Sequence, residues 1–150
     1  MLLVSFFFLV TALISPAQGS PEKHYIGPET CKSCHEKEYT SFFASSKKSH
    51  SYDTITRMRK FLTDQEFEGC MECHTTGHGK PGGFVSVEAT PQLKNLSCEA
   101  CHGPGSVHAE SGDPSEINGK LTPKDCSGCH NENRVKAFRF SPLIHGGVHQ

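Results

Sequence analysis

Apolar positions crowd the first fourteen residues and thin out afterwards. Leu2 to Ile14 is an almost unbroken apolar run of 13 residues. It is followed by Ser15-Pro16-Ala17-Gln18-Gly19, whose small residues stand at the offsets of an export cleavage site. A spanning helix needs roughly 20 apolar residues, so residues 1–19 read as a signal peptide cleaved near Gly19. Residues 20–150 then form the mature domain, with no membrane span in it. Within that domain, Thr30 to Leu62 reads as mostly helical, with Thr30 as a candidate N-cap and Phe42 and Phe43 on one face. Gly77-His78-Gly79-Lys80-Pro81-Gly82-Gly83 must loop, and Phe84-Val85-Ser86-Val87 predicts a short strand after it. The loop matches Gly-x-Gly-x-x-Gly, but no strand precedes it, so it reads as a turn and not as a nucleotide cradle. Thr122-Pro123 fits the start of another short helix, while Gly103-Pro104-Gly105 and Ser111 to Gly119 read as loops. The pattern predicts a mainly α chain with long loops and little β.

Composition adds a constraint that the pattern alone does not. The length of 150 residues suits one domain, and 15 basic against 16 acidic residues argues against a nucleic-acid binder held by bulk charge. Only 35% of residues are hydrophobic and there is no Trp. A conventional core is hard to build from that supply, so something other than side chains should fill the centre. The unusual counts are 8 Cys and 10 His.

All eight cysteines fall into four pairs, each closed by a histidine. The motifs are Cys31-Lys32-Ser33-Cys34-His35, Cys70-Met71-Glu72-Cys73-His74, Cys98-Glu99-Ala100-Cys101-His102 and Cys126-Ser127-Gly128-Cys129-His130. Cys-x-x-Cys-His is the attachment signature of c-type haem: both thiols form thioethers to the porphyrin and the adjacent His binds the iron. A zinc ribbon of four thiolates has no need of a His after every second Cys. Nor would a disulfide framework place four His in register. The expectation is four covalently attached c-type haems, with Cys31, Cys34, Cys70, Cys73, Cys98, Cys101, Cys126 and Cys129 as attachment residues and His35, His74, His102 and His130 as proximal ligands. A compact chain of this size has a radius of gyration of roughly 14 Å. Four macrocycles inside it must lie almost in contact, sharing one core.

The second axial ligand is drawn from a short inventory. His24, His50, His78, His108, His145 and His149 remain, whereas Met71 lies inside an attachment loop and Met58 is read as packing. Bis-His ligation should therefore dominate, giving low-potential iron that carries electrons. No acid–base constellation stands outside the haem motifs, so the chain is read as an electron-transfer protein and not as an enzyme. Its partners would be redox proteins. The runs Lys47, Lys48, Arg57, Arg59, Lys60 and Asp64, Glu66, Glu68, Glu72 read as solvated faces or as surfaces that steer such a partner.

Cys70 to His74, then Gly77-x-Gly79-x-x-Gly82-Gly83-Phe84, then Cys98 through Gly105, together resemble the tetrahaem cytochrome c-554 family. The tail Phe138-Arg139-Phe140-Ser141-Pro142-Leu143-Ile144-His145 is similar to that family's closing segment. The resemblance spans Gly27 to His149. It implies a compact multihaem fold organised by four covalent haems, with His50 as distal ligand to the third haem, His108 to the first and His145 to the fourth. In the family's prototype, which accepts electrons from hydroxylamine oxidoreductase, the second haem is five-coordinate. Filament-forming relatives complete it with another His. Here His149 and His24 are candidates for that position, and His78 is read as meeting a propionate or solvent. The chain stops soon after its last His, without the prototype's long charged tail, so docking to the same oxidase is not expected to carry over. With the signal peptide, the expectation is a carrier in the periplasm or outside the cell. Its alternatives are a self-assembling haem-filament subunit and a small nitrogen-oxide reductase at an open second haem.

Overall fold

The computed structural model describes residues 21–131. The expected signal segment, the closing tail, His145 and His149 lie outside the described residues. Among the described residues seven short α-helices carry the fold: α1 Pro28–Lys32, α2 Glu36–Ser45, α3 Ser51–Thr56, α4 Asp64–His74, α5 Cys98–His102, α6 Ser106–Ser111 and α7 Pro123–Cys126. Single 3-10 turns at Lys47–His50, Arg59–Phe61, Pro91–Leu93 and Pro114–Glu116 join them. Among the described residues there is no strand, and the mainly helical, loop-rich expectation holds.

The helices start where local chemistry requires. α1 opens at Gly27 with Pro28 in its first turn, where a fixed φ and a missing N–H cost nothing. Thr30 is therefore inside the helix and not its N-cap, which corrects the sequence reading. α4 was hidden in the acidic run. Thr63 and Glu66 form a reciprocal capping box, and Asp64 and Glu66 lie in the first turn, where the helix dipole favours negative charge. The α7 helix begins as expected, with Thr122 and Asp125 in the same reciprocal arrangement and Pro123 in the first turn.

The expected strand at Phe84 to Val87 does not form. The Phe84 N–H donates to Thr76 O at 2.9 Å, but the Val85 N–H is taken by the Thr90 side chain at 2.9 Å. Without a ladder partner the segment stays extended for one inward residue, Phe84, and leaves Val85 70% exposed.

The apolar core is small. Tyr25, Ile55, Met71, Phe84 and Leu93 form it, with Tyr52, Phe67, Cys70 and Val87 packed around. Phe42 is also buried, edge-on to Phe43. Met58 is 51% exposed, so its reading as a packing residue is wrong; it sits on the surface turn after α3.

The glycine loop is a tight turn, as read. Lys80 N–H donates to Gly77 O and Gly83 N–H to Lys80 O, both at 3.0 Å. A Cβ on Gly83 would stand 1.7 Å from the Gly77 carbonyl oxygen, whereas one on Gly79 would meet nothing within 4 Å. Gly83→Ala is expected to lower unfolding stability by about 3 kcal/mol, because backbone must move to admit the methyl. Gly79→Ala should cost only about 1 kcal/mol, for its positive φ alone. Denaturant midpoints of the two variants check the contrast.

Candidate functional site: four cysteine-pair and histidine turns

Each motif is wound on a helical turn. The second and third lie at the end of α4 and along α5, while the first and fourth begin at the ends of α1 and α7. In these last two the same bonds recur: His35 N–H to Cys31 O and His130 N–H to Cys126 O, each 2.9 Å. Residues i, i+3 and i+4 of such a turn share one face. Both thiols and the imidazole of each motif are thereby presented together, which is what two thioethers and an iron–nitrogen bond to one planar group require.

The imidazoles are oriented by backbone carbonyls. His74 Nδ1 is 3.0 Å from Ser51 O, His102 Nδ1 is 2.7 Å from Asn118 O and His108 Nδ1 is 2.9 Å from Asp113 O. A carbonyl only accepts, so Nδ1 carries the proton in each and Nε2 keeps the lone pair a metal needs. Burial, followed by the field of Lys48, pulls the pKa of His130 down and favours its neutral, ligating form.

The rings of His35 and His108 face each other with centroids 6.2 Å apart and planes 26° from parallel. Two imidazoles on opposite sides of one metal, each at about 2 Å, stand roughly 6 Å apart between ring centres. The residues present therefore fit a shared iron. His50 is placed differently: its side chain is 69% exposed and its Nδ1 lies 3.9 Å from an Asp53 carboxylate oxygen. His78 meets a carboxylate rather than solvent, with Nε2 3.2 Å from Glu68 Oε1 on α4. His24 is exposed, and its backbone is tied to Ser106 at the start of α6.

The thiols record which motifs are neighbours. The Cys31 and Cys98 thiols are neighbours: their mutual interaction, followed by burial, pushes the Cys31 thiol well above the ordinary range, and the same interaction pulls Cys98 down. Burial, then the neighbouring Cys73 thiol, pushes Cys129 up to about 12. Burial also raises Cys101, which feels Cys126 close by. The first motif thus sits against the third, the second against the fourth, and the third near the fourth. A cavity of about 440 Å³ opens beside the third motif, with Cys101, His102, Tyr25, Glu99 and Lys80 in its wall, together with Lys23, which is paired with the Glu116 carboxylate at 2.8 Å.

Sequence reasoning missed Glu99, the residue that ties this region together. It is 1% exposed, and its carboxylate accepts from Ile26 N–H, Gly27 N–H and Gly105 N–H at 2.8 to 3.2 Å. One side chain inside the third motif thereby holds both the approach to the first motif and the Gly103–Gly105 loop.

Residues 30–103 match the family described as cytochrome c554 and c-prime. Cytochrome c-554 of Nitrosomonas europaea is 27% identical over 154 residues, covering 82% of this chain and 63% of that protein. The chain thus spans less than two thirds of the relative it matches. The solved reduced state of cytochrome c554 from Nitrosomonas europaea superposes with a TM-score of 0.54 at 21% identity, covering 83% of this chain and 77% of the other. At that identity the likeness is one of fold. The resemblance read from the motifs is found again in sequence and in structure.

Proposed function

Taking the cytochrome c554 match of residues 30–103 as premise, we propose that the chain is an exported tetrahaem c-type cytochrome that carries electrons between redox proteins of the cell envelope. Residues 1–19 serve as the signal peptide and 20–150 as the haem domain. The observation that carries the proposal is the set of four motifs, each on a helical turn, with Cys31 neighbouring Cys98 and Cys73 neighbouring Cys129. Each bound haem supplies a one-electron ferric/ferrous couple.

His35, His74, His102 and His130 hold the iron from the proximal side. His35 and His108 flank one iron, which the 6.2 Å ring separation supports. His50 and His145 complete the third and fourth, and the second is either open or closed by His149 or His24. The closeness of Cys31 to Cys98 and of Cys73 to Cys129, with Cys101 in the field of Cys126, supports an order of first, third, fourth, second along the chain of haems. Among the described residues no helix is long and apolar enough to cross a membrane, in keeping with a mature domain that works in the periplasm or beyond. Lys47, Lys48 and the Arg57–Lys60 corner would steer an acidic partner at low salt.

Potentiometric titration of the purified holoprotein tests the proposal. Four one-electron components, most of them at the low potentials that His/His ligation gives, are expected. Fewer components, or potentials as high as those of Met/His cytochromes throughout, would overturn it.

A further inference from the structure

The motif histidine of α4 is joined to Ser51 by two bonds, one of them from the serine side chain. His102 donates from Nδ1 to Asn118 O, and the Asn118 N–H returns a bond to His102 O at 3.1 Å. His108 donates to Asp113 O, and the neighbouring Gly112 N–H returns a bond to His108 O at 2.8 Å. For His74 the outgoing bond runs to Ser51 O at 3.0 Å, but the return comes from the Ser51 hydroxyl, which donates to His74 O at 2.7 Å. That hydroxyl also accepts from the Leu96 N–H at 2.8 Å, so both its roles are used. Ser51 is 6% exposed, and the next N–H, of Tyr52, is taken by Asn95 Oδ1 at 2.9 Å. The start of α3, the end of α4 and the 95–96 segment are thus locked at one hydroxyl.

We infer that Ser51 is the positioning residue for His74 and, through it, sets the electron affinity of the second haem. The inference rests on the reading that His74 binds a haem iron. A carbonyl that accepts firmly from Nδ1–H gives the imidazole more anionic character and makes it a stronger donor to the metal. A stronger donor stabilises ferric iron and lowers the potential. Loss of the hydroxyl leaves the Ser51 carbonyl in the chain but frees it to drift from the ring. The weaker bond then raises the potential of that haem alone.

Redox titration and thermal unfolding of holoprotein carrying Ser51→Ala and Ser51→Thr test this. Ser51→Ala should move one of the four components upward and leave three in place, and Ser51→Thr, which keeps the hydroxyl, should return it toward the parent value. Lower thermal stability with four unshifted components would reduce Ser51 to a structural role and overturn the inference. A shift spread over several components would do the same. If Ser51→Ala does not accumulate, Ser51→Cys, with its weaker donor, should give a smaller upward shift of the same component, and no shift would count against the inference. Bound haem is counted on each sample. A parent protein without haem on Cys70 and Cys73 would defeat the underlying reading, whereas full haem content with no shift defeats only the role of Ser51.

Discussion

Replacing His108 with alanine is expected to turn one low-spin ferric haem into a high-spin one, while the haem count stays unchanged. The expectation follows from the ring of His108 standing 6.2 Å from that of His35. Its Nδ1–H is spent on the Asp113 carbonyl at 2.9 Å, so Nε2 is the nitrogen left for a metal. Without it the iron held by His35 keeps one strong-field axial ligand, and water or nothing takes the other side. Electron paramagnetic resonance of the oxidised variant should show the loss of one low-spin signal and the gain of one high-spin signal. The cysteine attachment does not depend on His108, so haem content should equal that of the parent. An unchanged spectrum would mean that the two rings do not share an iron.

The largest effect on stability is expected at Glu99. Three backbone N–H groups converge on its carboxylate, from Gly27 and Gly105, both buried, and from the half-buried Ile26. Glu99→Ala leaves all three without a partner, and each orphaned buried donor costs about 1–3 kcal/mol. A total loss of at least about 3 kcal/mol is expected, enough to lower the melting temperature by at least roughly 6–12 °C for a chain of this size. Glu99→Gln should cost about 2 kcal/mol, because the amide keeps one accepting oxygen and turns its NH₂ toward donors. The damage should also reach the first motif, since α1 packs on α5 and Cys31 meets Cys98. Incomplete attachment at Cys31 and Cys34 is therefore expected in Glu99→Ala before attachment fails elsewhere. Thermal unfolding together with haem content of the purified variants checks both statements.

The attachment motifs were legible because their chemistry is contiguous: two thioethers and one iron bond must come from a single helical turn. The turn at Gly77–Gly83 and the start of α7 were legible for a similar reason, as glycine and proline act locally. What escaped was decided by which hydrogen-bond partner a group finds, whether close in sequence or far. Phe84 to Val87 has strand composition, but a strand needs a ladder, and here Thr90 takes the Val85 N–H instead. The helix α4 lay hidden behind its charges, although Thr63 and Glu66 carry the spacing of a capping box. Glu99 gave no local sign at all. A glutamate between two attachment cysteines looks like a solvated side chain until Ile26 and Gly105 are brought to it from opposite directions. The shortage of apolar residues, by contrast, was informative in itself, and the small cluster around Leu93 is the core such a composition can build.

Intact mass of the purified holoprotein tests the central claim most directly. The expected mass is that of the chain from about Ser20 plus four covalently bound haems, surviving denaturation because the thioethers hold them. The mass of the bare polypeptide, or of a polypeptide carrying fewer than four haems with the remaining cysteines in disulfides or on zinc, would contradict it.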